Sequence, residues 1–221
     1  MAEIGKSVVE SAHFIAKIGE QVESMVELIT DNLSNSFGKI AINFIPVGDW
    51  RSCTRYDEND WVLSDYVYYI GLKFNRKNQV KPAGYLNIQI SLWQDGAEFE
   101  GNEEPLLHIC WWDDPISVDK EDNYFGSLFG DDEEFEIESN VLINWKPLAE
   151  TIPDQRWSYS LFLTSINDLN DIRKKIVSPV IDLFAKGIKE AVSSITDLDG
   201  IVKYERSSDL PKRSLKVIRK S

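Results

Sequence analysis

The chain has 221 residues, 43% of them hydrophobic and 28% charged, and 37 acidic against 24 basic side chains give it a net charge of −13. That length fits one large domain whose core needs no disulfide or metal staple, and the only two cysteines, Cys53 and Cys110, lack the spacing of a disulfide framework or a zinc site. No apolar run approaches the ~18 residues of a membrane span, and residues 1–6 lack the apolar stretch of a secretion signal, so the expectation is a cytoplasmic protein with no membrane partner.

Residues 6 to about 36 predict one long amphipathic helix. Ile15, Ile18, Val22, Met25, Ile29 and Leu33 recur at steps of three and four, while Glu20, Glu23 and Glu27 lie off that stripe. A short strand is expected over 41–45, ended by Pro46 and Gly48. Tyr66, Tyr68, Ile70, Leu72 and Phe74 then alternate with Val67, Tyr69, Gly71 and Lys73, the period of two that marks a strand. After a polar loop, Leu86, Ile88, Ile90 and Leu92 predict its antiparallel partner, with Tyr85, Asn87, Gln89, Ser91 and Trp93 on a wet face.

Leu106 to Trp112 reads as a more buried strand. Residues 134–145 read as another, and Trp157, Tyr159, Leu161 and Leu163 as the last. The C-terminal part is helical. Ser165 and Asp168 resemble a capping box, Pro179 is expected to start a new helix with Ser178 as its N-cap, and Val180, Phe184, Ile188, Val192 and Ile195 form the stripe. This order predicts an α+β fold: an antiparallel sheet of about six strands, with the long N-terminal helix and the C-terminal helices packed mainly on one face. Residues 1–200 form the domain. Residues 201–221, with seven basic and two acidic side chains, form a basic tail, either a mobile arm or a late-docking segment.

The charge is concentrated. Between Asp95 and Asp154 there are 18 acidic residues and two basic ones, Lys120 and Lys146, a net charge of −16 that leaves +3 for the rest of the chain. Dense like charge stores a negative potential that a cationic partner would relieve, and aromatic side chains in the same segment supply the residue types that anchor interfaces. The segment therefore predicts a docking surface. Trp111 and Trp112 would anchor, and Asp113, Asp114, Asp131, Asp132, Glu133, Glu134, Glu136 and Glu138 would steer and pair with lysine or arginine. Along a strand Glu134, Glu136 and Glu138 would repeat at about 6.7 Å on one face, a ladder suited to a groove built for phosphates. Two plainer readings stand beside this one, a solvated acidic loop and neutralisation by the chain's own basic tail.

Clustered carboxylates also suit hard cations, so a metal-dependent hydrolase or nuclease is the alternative enzyme, although the spacing matches no calcium loop and no two-metal nuclease. His108 and Cys110 share a strand face and read as core residues. There is no Walker loop, dinucleotide fingerprint or nucleophile elbow. The anionic body argues against direct nucleic-acid binding. The expectation is a non-enzymatic binding protein with no cofactor, whose partner is a basic protein or a nucleic-acid-binding protein. A structural homodimer built on the first helix is the third reading.

Overall fold

A computed structural model describes residues 2–37, 44–56, 59, 61–75, 81–92, 99–100, 104–116, 118, 134–146, 156–206 and 215–218. Its centre is a seven-stranded antiparallel sheet in the order β1-β2-β3-β5-β8-β7-β6. The strands are β1 (Phe44–Tyr56), β2 (Leu63–Phe74), β3 (Gly84–Ser91), β5 (Leu106–Trp112), β6 (Phe135–Glu138), β7 (Leu142–Trp145) and β8 (Arg156–Phe162). A second sheet joins β4 (Phe99–Glu100), β9 (Lys203–Arg206) and β10 (Leu215–Ile218), with β10 in the middle, parallel to β4 and antiparallel to β9.

The inner face of the large sheet carries the helices. Helix α1 (Ala2–Phe37) buries Val22, Ile29 and Leu33 of the stripe the sequence marks, together with Val26 and Phe37, while Ile18 and Met25 are half-buried and Ile15 is exposed. Beneath it run α2 (Leu169–Ile172), α3 (Ser178–Lys186) and α4 (Ile188–Thr196). Their apolar sides meet Ile70, Leu86, Ile88, Leu107, Ile109, Trp157 and Tyr159 in one continuous core. The outer face is covered by β9, β10 and the turn after β5. Tyr204, Leu215, Val217, Ile116 and Val118 pack there on Cys110, Trp112, Phe135, Ile143 and Trp145.

The α+β class, the antiparallel sheet, the long first helix and the helical layer agree with the sequence, and several details differ. The sheet has seven strands rather than about six because 134–145 folds back on itself. Ser139 and Asn140, at φ of 52° and 61°, make the tight turn between β6 and β7. β1 runs through Pro46 and Gly48 instead of stopping there. It is an edge strand, where a proline is tolerated, and its register shifts between Val47 and Arg51.

Pro179 does not open a new helix. Residues Arg173–Val177 form one wide turn in which the Ser178 N–H donates to the Arg173 carbonyl, so the helix passes from α2 into α3 without a cap at Ser178. The break comes at Gly187, whose φ of 78° no helix accommodates. Asp168, not Ser165, caps α2: its carboxylate accepts from the Asp171 N–H at 2.8 Å. The face of β3 expected to be wet is buried, with Asn87, Gln89 and Ser91 at 0%, 2% and 3% exposure. Gln89 and Ser91 bond to Asp65, Asn87 Oδ1 accepts from the Ile116 N–H, and the basic C-terminal segment supplies β9 and β10 to the same outer layer.

Candidate functional site

The acidic segment meets the large sheet at both ends: Glu104 precedes β5 and accepts from Thr164 Oγ1 at 3.1 Å, whereas Asp113, Asp114 and Glu134 lie at the other end, where β5 ends, β8 begins, β7 ends and β6 begins. Consecutive strand residues face opposite ways, so Trp111 and Trp112 part company. Trp111 turns to the inner face and packs edge-on against Phe184 and Phe44, with ring centres at 5.1 and 5.5 Å. Trp112 turns to the outer face against Trp145, at 5.1 Å. Both rings are buried, so their apolar area is already used inside the molecule and the anchoring role expected of them does not hold. The sequence carried the reason: Leu106 to Trp112 is apolar on both faces and is buried at every position.

Arg156 organises this end. Its guanidinium stacks over Trp112 at 4.3 Å, donates Nη1 to the Asp113 carboxylate at 3.5 Å and donates Nη2 to the Lys146 carbonyl. The arginine side chain is 1% exposed and that of Asp113 21%, so the pair is largely screened from water. Asp114, next along the chain, is exposed.

On β6 the carboxylates sort by strand alternation. Phe135 is buried in the outer core and Ile137 packs partly against it, while Glu136 is exposed and Glu138 half-buried on the other side. Glu134 pairs with Lys146 at 2.9 Å, both side chains more than half exposed. The hydrogen bond to Glu134 is the main reason the Lys146 ammonium holds its proton above the ordinary range. Glu136 adds to that effect, while desolvation and Arg206 oppose it. Arg206, from the basic C-terminal segment, donates to the Phe135 carbonyl at 2.5 Å and lies over the Phe135 ring at 4.9 Å. Among the described residues β6 has a neighbouring strand on one side only.

Of the predicted residues, the structure thus gathers Trp112, Asp113, Asp114, Glu134, Glu136 and Glu138 near one end and edge of the sheet. Asp131, Asp132 and Glu133 lie outside the described residues. Asp113 and Glu134 already meet cations of the same chain, Arg156 and Lys146, neither of them from the basic tail; of that tail, β10 pairs with β4 and Arg206 reaches a carbonyl rather than a carboxylate.

Sequence reasoning missed a buried polar row on the outer face. Asp65 accepts from Ser91 Oγ at 2.7 Å and Gln89 Nε2 at 2.9 Å, and its other oxygen meets Arg55 Nε at 3.2 Å. Further along, His108 Nδ1 and Ser160 Oγ stand 2.6 Å apart, both fully buried. Desolvation drives the His108 pKa down to about 3, so the ring is neutral, and burial pushes the Cys110 thiol well above its usual range. The signal was present in the Asn87-x-Gln89-x-Ser91 alternation, but alternation alone cannot distinguish water from a second protein layer. Among the described residues, no three His, Cys, Asp or Glu side chains stand close enough together to hold a metal ion. No helix in the described residues is long and apolar enough to cross a membrane. The chain matches no known protein family, no curated protein and no solved structure.

Proposed function

We propose that the protein is a non-enzymatic, cytoplasmic binding protein that docks a cationic partner, a basic protein or a nucleic-acid-binding protein, on the acidic 95–154 segment. The observation that carries this reading is the imbalance of that segment, 18 carboxylates against two lysines, together with the exposure of Asp114 and Glu136. Internal pairing takes up Asp113 and Glu134 but leaves the segment strongly anionic. Long-range attraction then steers a positive surface to this end of the sheet. Trp111 and Trp112 act as a brace beneath the site and make no contact with the partner. Glu136 and Glu138 pair with lysine or arginine of the partner, Glu134 does so by exchanging its exposed pair with Lys146, and Asp131, Asp132 and Glu133 extend the same charge along the chain.

The test is capture from native lysate at low and high salt, followed by association kinetics with the captured protein. The on-rate falls steeply as ionic strength rises, and replacing Asp131, Asp132, Glu133, Glu134, Glu136 and Glu138 by the corresponding amides slows association by about tenfold or more. A partner whose on-rate ignores salt, or whose affinity ignores the amide variant, defeats the reading.

A further inference from the structure

The stripe that seats α1 on the core continues past the body of the protein. Val8, Ile15, Val22 and Ile29 recur every seven residues, with Ile18 and Met25 between them. Val22 and Ile29 are buried, yet every residue from Gly5 to Lys17 is exposed, including Val8 at 62%, Phe14 at 66% and Ile15 at 43%. A helix of 36 residues is about 54 Å long, so its N-terminal half projects well beyond the core. At its base lies a mostly apolar groove of about 970 Å³, bounded by Phe14, Ile15, Ile18 and Gly19 on one side and by Leu163 and Ile166 on the other. No heavy atom lies within 4 Å of a Cβ placed on Gly19, so a second backbone can approach there.

We infer that the occupant of this face is a second copy of the chain, the two α1 helices crossing antiparallel with each N-terminal half reaching into the other's groove. Charge selects this occupant. Residues 1–19 carry Glu3 and Glu10 against Lys6 and Lys17, a locally neutral stretch on a chain of −13. A cationic partner gains little from it, and an anionic lipid surface repels the rest of the molecule. The charges from Lys6 to Glu20 are complementary to themselves: a two-fold crossing near His13 sets Lys17 close to Glu10 of the copy and Lys6 close to Glu20. In that register Val8 and Val9 of one copy meet Ile18 and Gly19 of the other, where the groove begins. The groove is bounded by the residues that start β2 and β5 and end β3 and β8, the opposite end of the sheet from Arg156 and Glu134.

Sedimentation velocity over a roughly hundredfold range of concentration reads the equilibrium. The full chain forms a dimer, and Val8→Glu with Phe14→Glu, both exposed positions, weakens it by about tenfold or more while circular dichroism confirms a folded monomer. Glu10→Lys and Lys17→Glu each weaken the dimer, and the two together restore it. A chain that stays monomeric at every concentration overturns the inference, as does a dimer indifferent to the Val8/Phe14 variant or a charge-swapped pair that fails to recover. A monomer that co-sediments with phosphatidylcholine vesicles overturns it in favour of a lipid surface.

Discussion

The guanidinium of Arg156 lies flat over Trp112, 4.3 Å from the ring centre, and the same group reaches the Asp113 carboxylate at 3.5 Å. One side chain therefore ties the outer core to the only described acidic group at this end that is largely shielded from water. Replacing Arg156 by alanine strands Asp113 beside a newly opened cavity and lowers unfolding free energy by about 3 kcal/mol. Arg156→Lys keeps the charge but loses the planar stack and the forked donors, and costs about 1–2 kcal/mol. Urea denaturation followed by tryptophan fluorescence ranks the three proteins; equal midpoints would remove Arg156 from this role.

Stability falls in mild acid through His108. Its ordinary pKa is 6.5 and burial lowers it to about 3, so above 6.5 the ring is neutral in folded and unfolded chains alike and its contribution is complete. As pH drops below 6.5 the unfolded chain takes up a proton that the folded chain refuses, and stability is lost at up to about 1.4 kcal/mol per pH unit until the folded-state value is reached. In His108→Gln this contribution disappears, and the slope of unfolding free energy between about pH 5 and 6.5 becomes shallower. An unchanged slope contradicts the assignment.

The two thiols separate by burial. Cys110 is 1% exposed on the outer face of β5, and its thiolate is disfavoured by the apolar surroundings, whereas Cys53 is half-buried on the edge strand β1. A water-soluble thiol reagent titrates Cys53 in the native protein and both cysteines in denaturant. Native-state labelling of Cys110 at a rate comparable to Cys53 would mean that the outer layer opens readily.

Gly84 opens β3 where there is no room for a side chain. A Cβ there would stand 2.7 Å from the Trp111 ring and 2.9 Å from the Trp112 carbonyl. The carbonyl cannot move without disturbing the β3–β5 pairing, so Gly84→Ala destabilises by about 1–3 kcal/mol and blue- or red-shifts the tryptophan emission as Trp111 is displaced. Retention of both the wild-type midpoint and the spectrum would show that the strand yields without strain.

The elements with strong local periodicity were readable. The stripe of α1 owes its pattern to a single buried face and the alternation of β2 against β3 to one apolar and one polar face, and both are present in register. Where two influences compete, the sequence is mute. A strand buried on both faces, as β5 is, shows no period, so nothing in Leu106 to Trp112 says which tryptophan faces where, and two interior rings passed for interface anchors. The turn at Ser139-Asn140 uses left-handed backbone without glycine, which disguises a hairpin as one long strand. Pro179 looks like a helix start because its ring forbids the usual hydrogen bond, yet the wide turn at 173–177 absorbs it. Of the site, the charge was plain from composition, while its partial neutralisation depends on Arg156 and Lys146 arriving from two separate strand ends.

The outer layer of the large sheet carries a consequence for biosynthesis. Strand β10 meets β4 across more than a hundred intervening residues, Leu215 beside Phe99, and with β9 it packs on the outer core around Cys110, Trp112, Phe135 and Trp145. As the polypeptide emerges from the ribosome, all seven strands of the main sheet exist before their lid does. For that interval Trp112, Trp145 and the apolar flank of β5 are open to solvent, and a nascent chain stalled short of residue 203 is the species most prone to clump or to recruit a holdase.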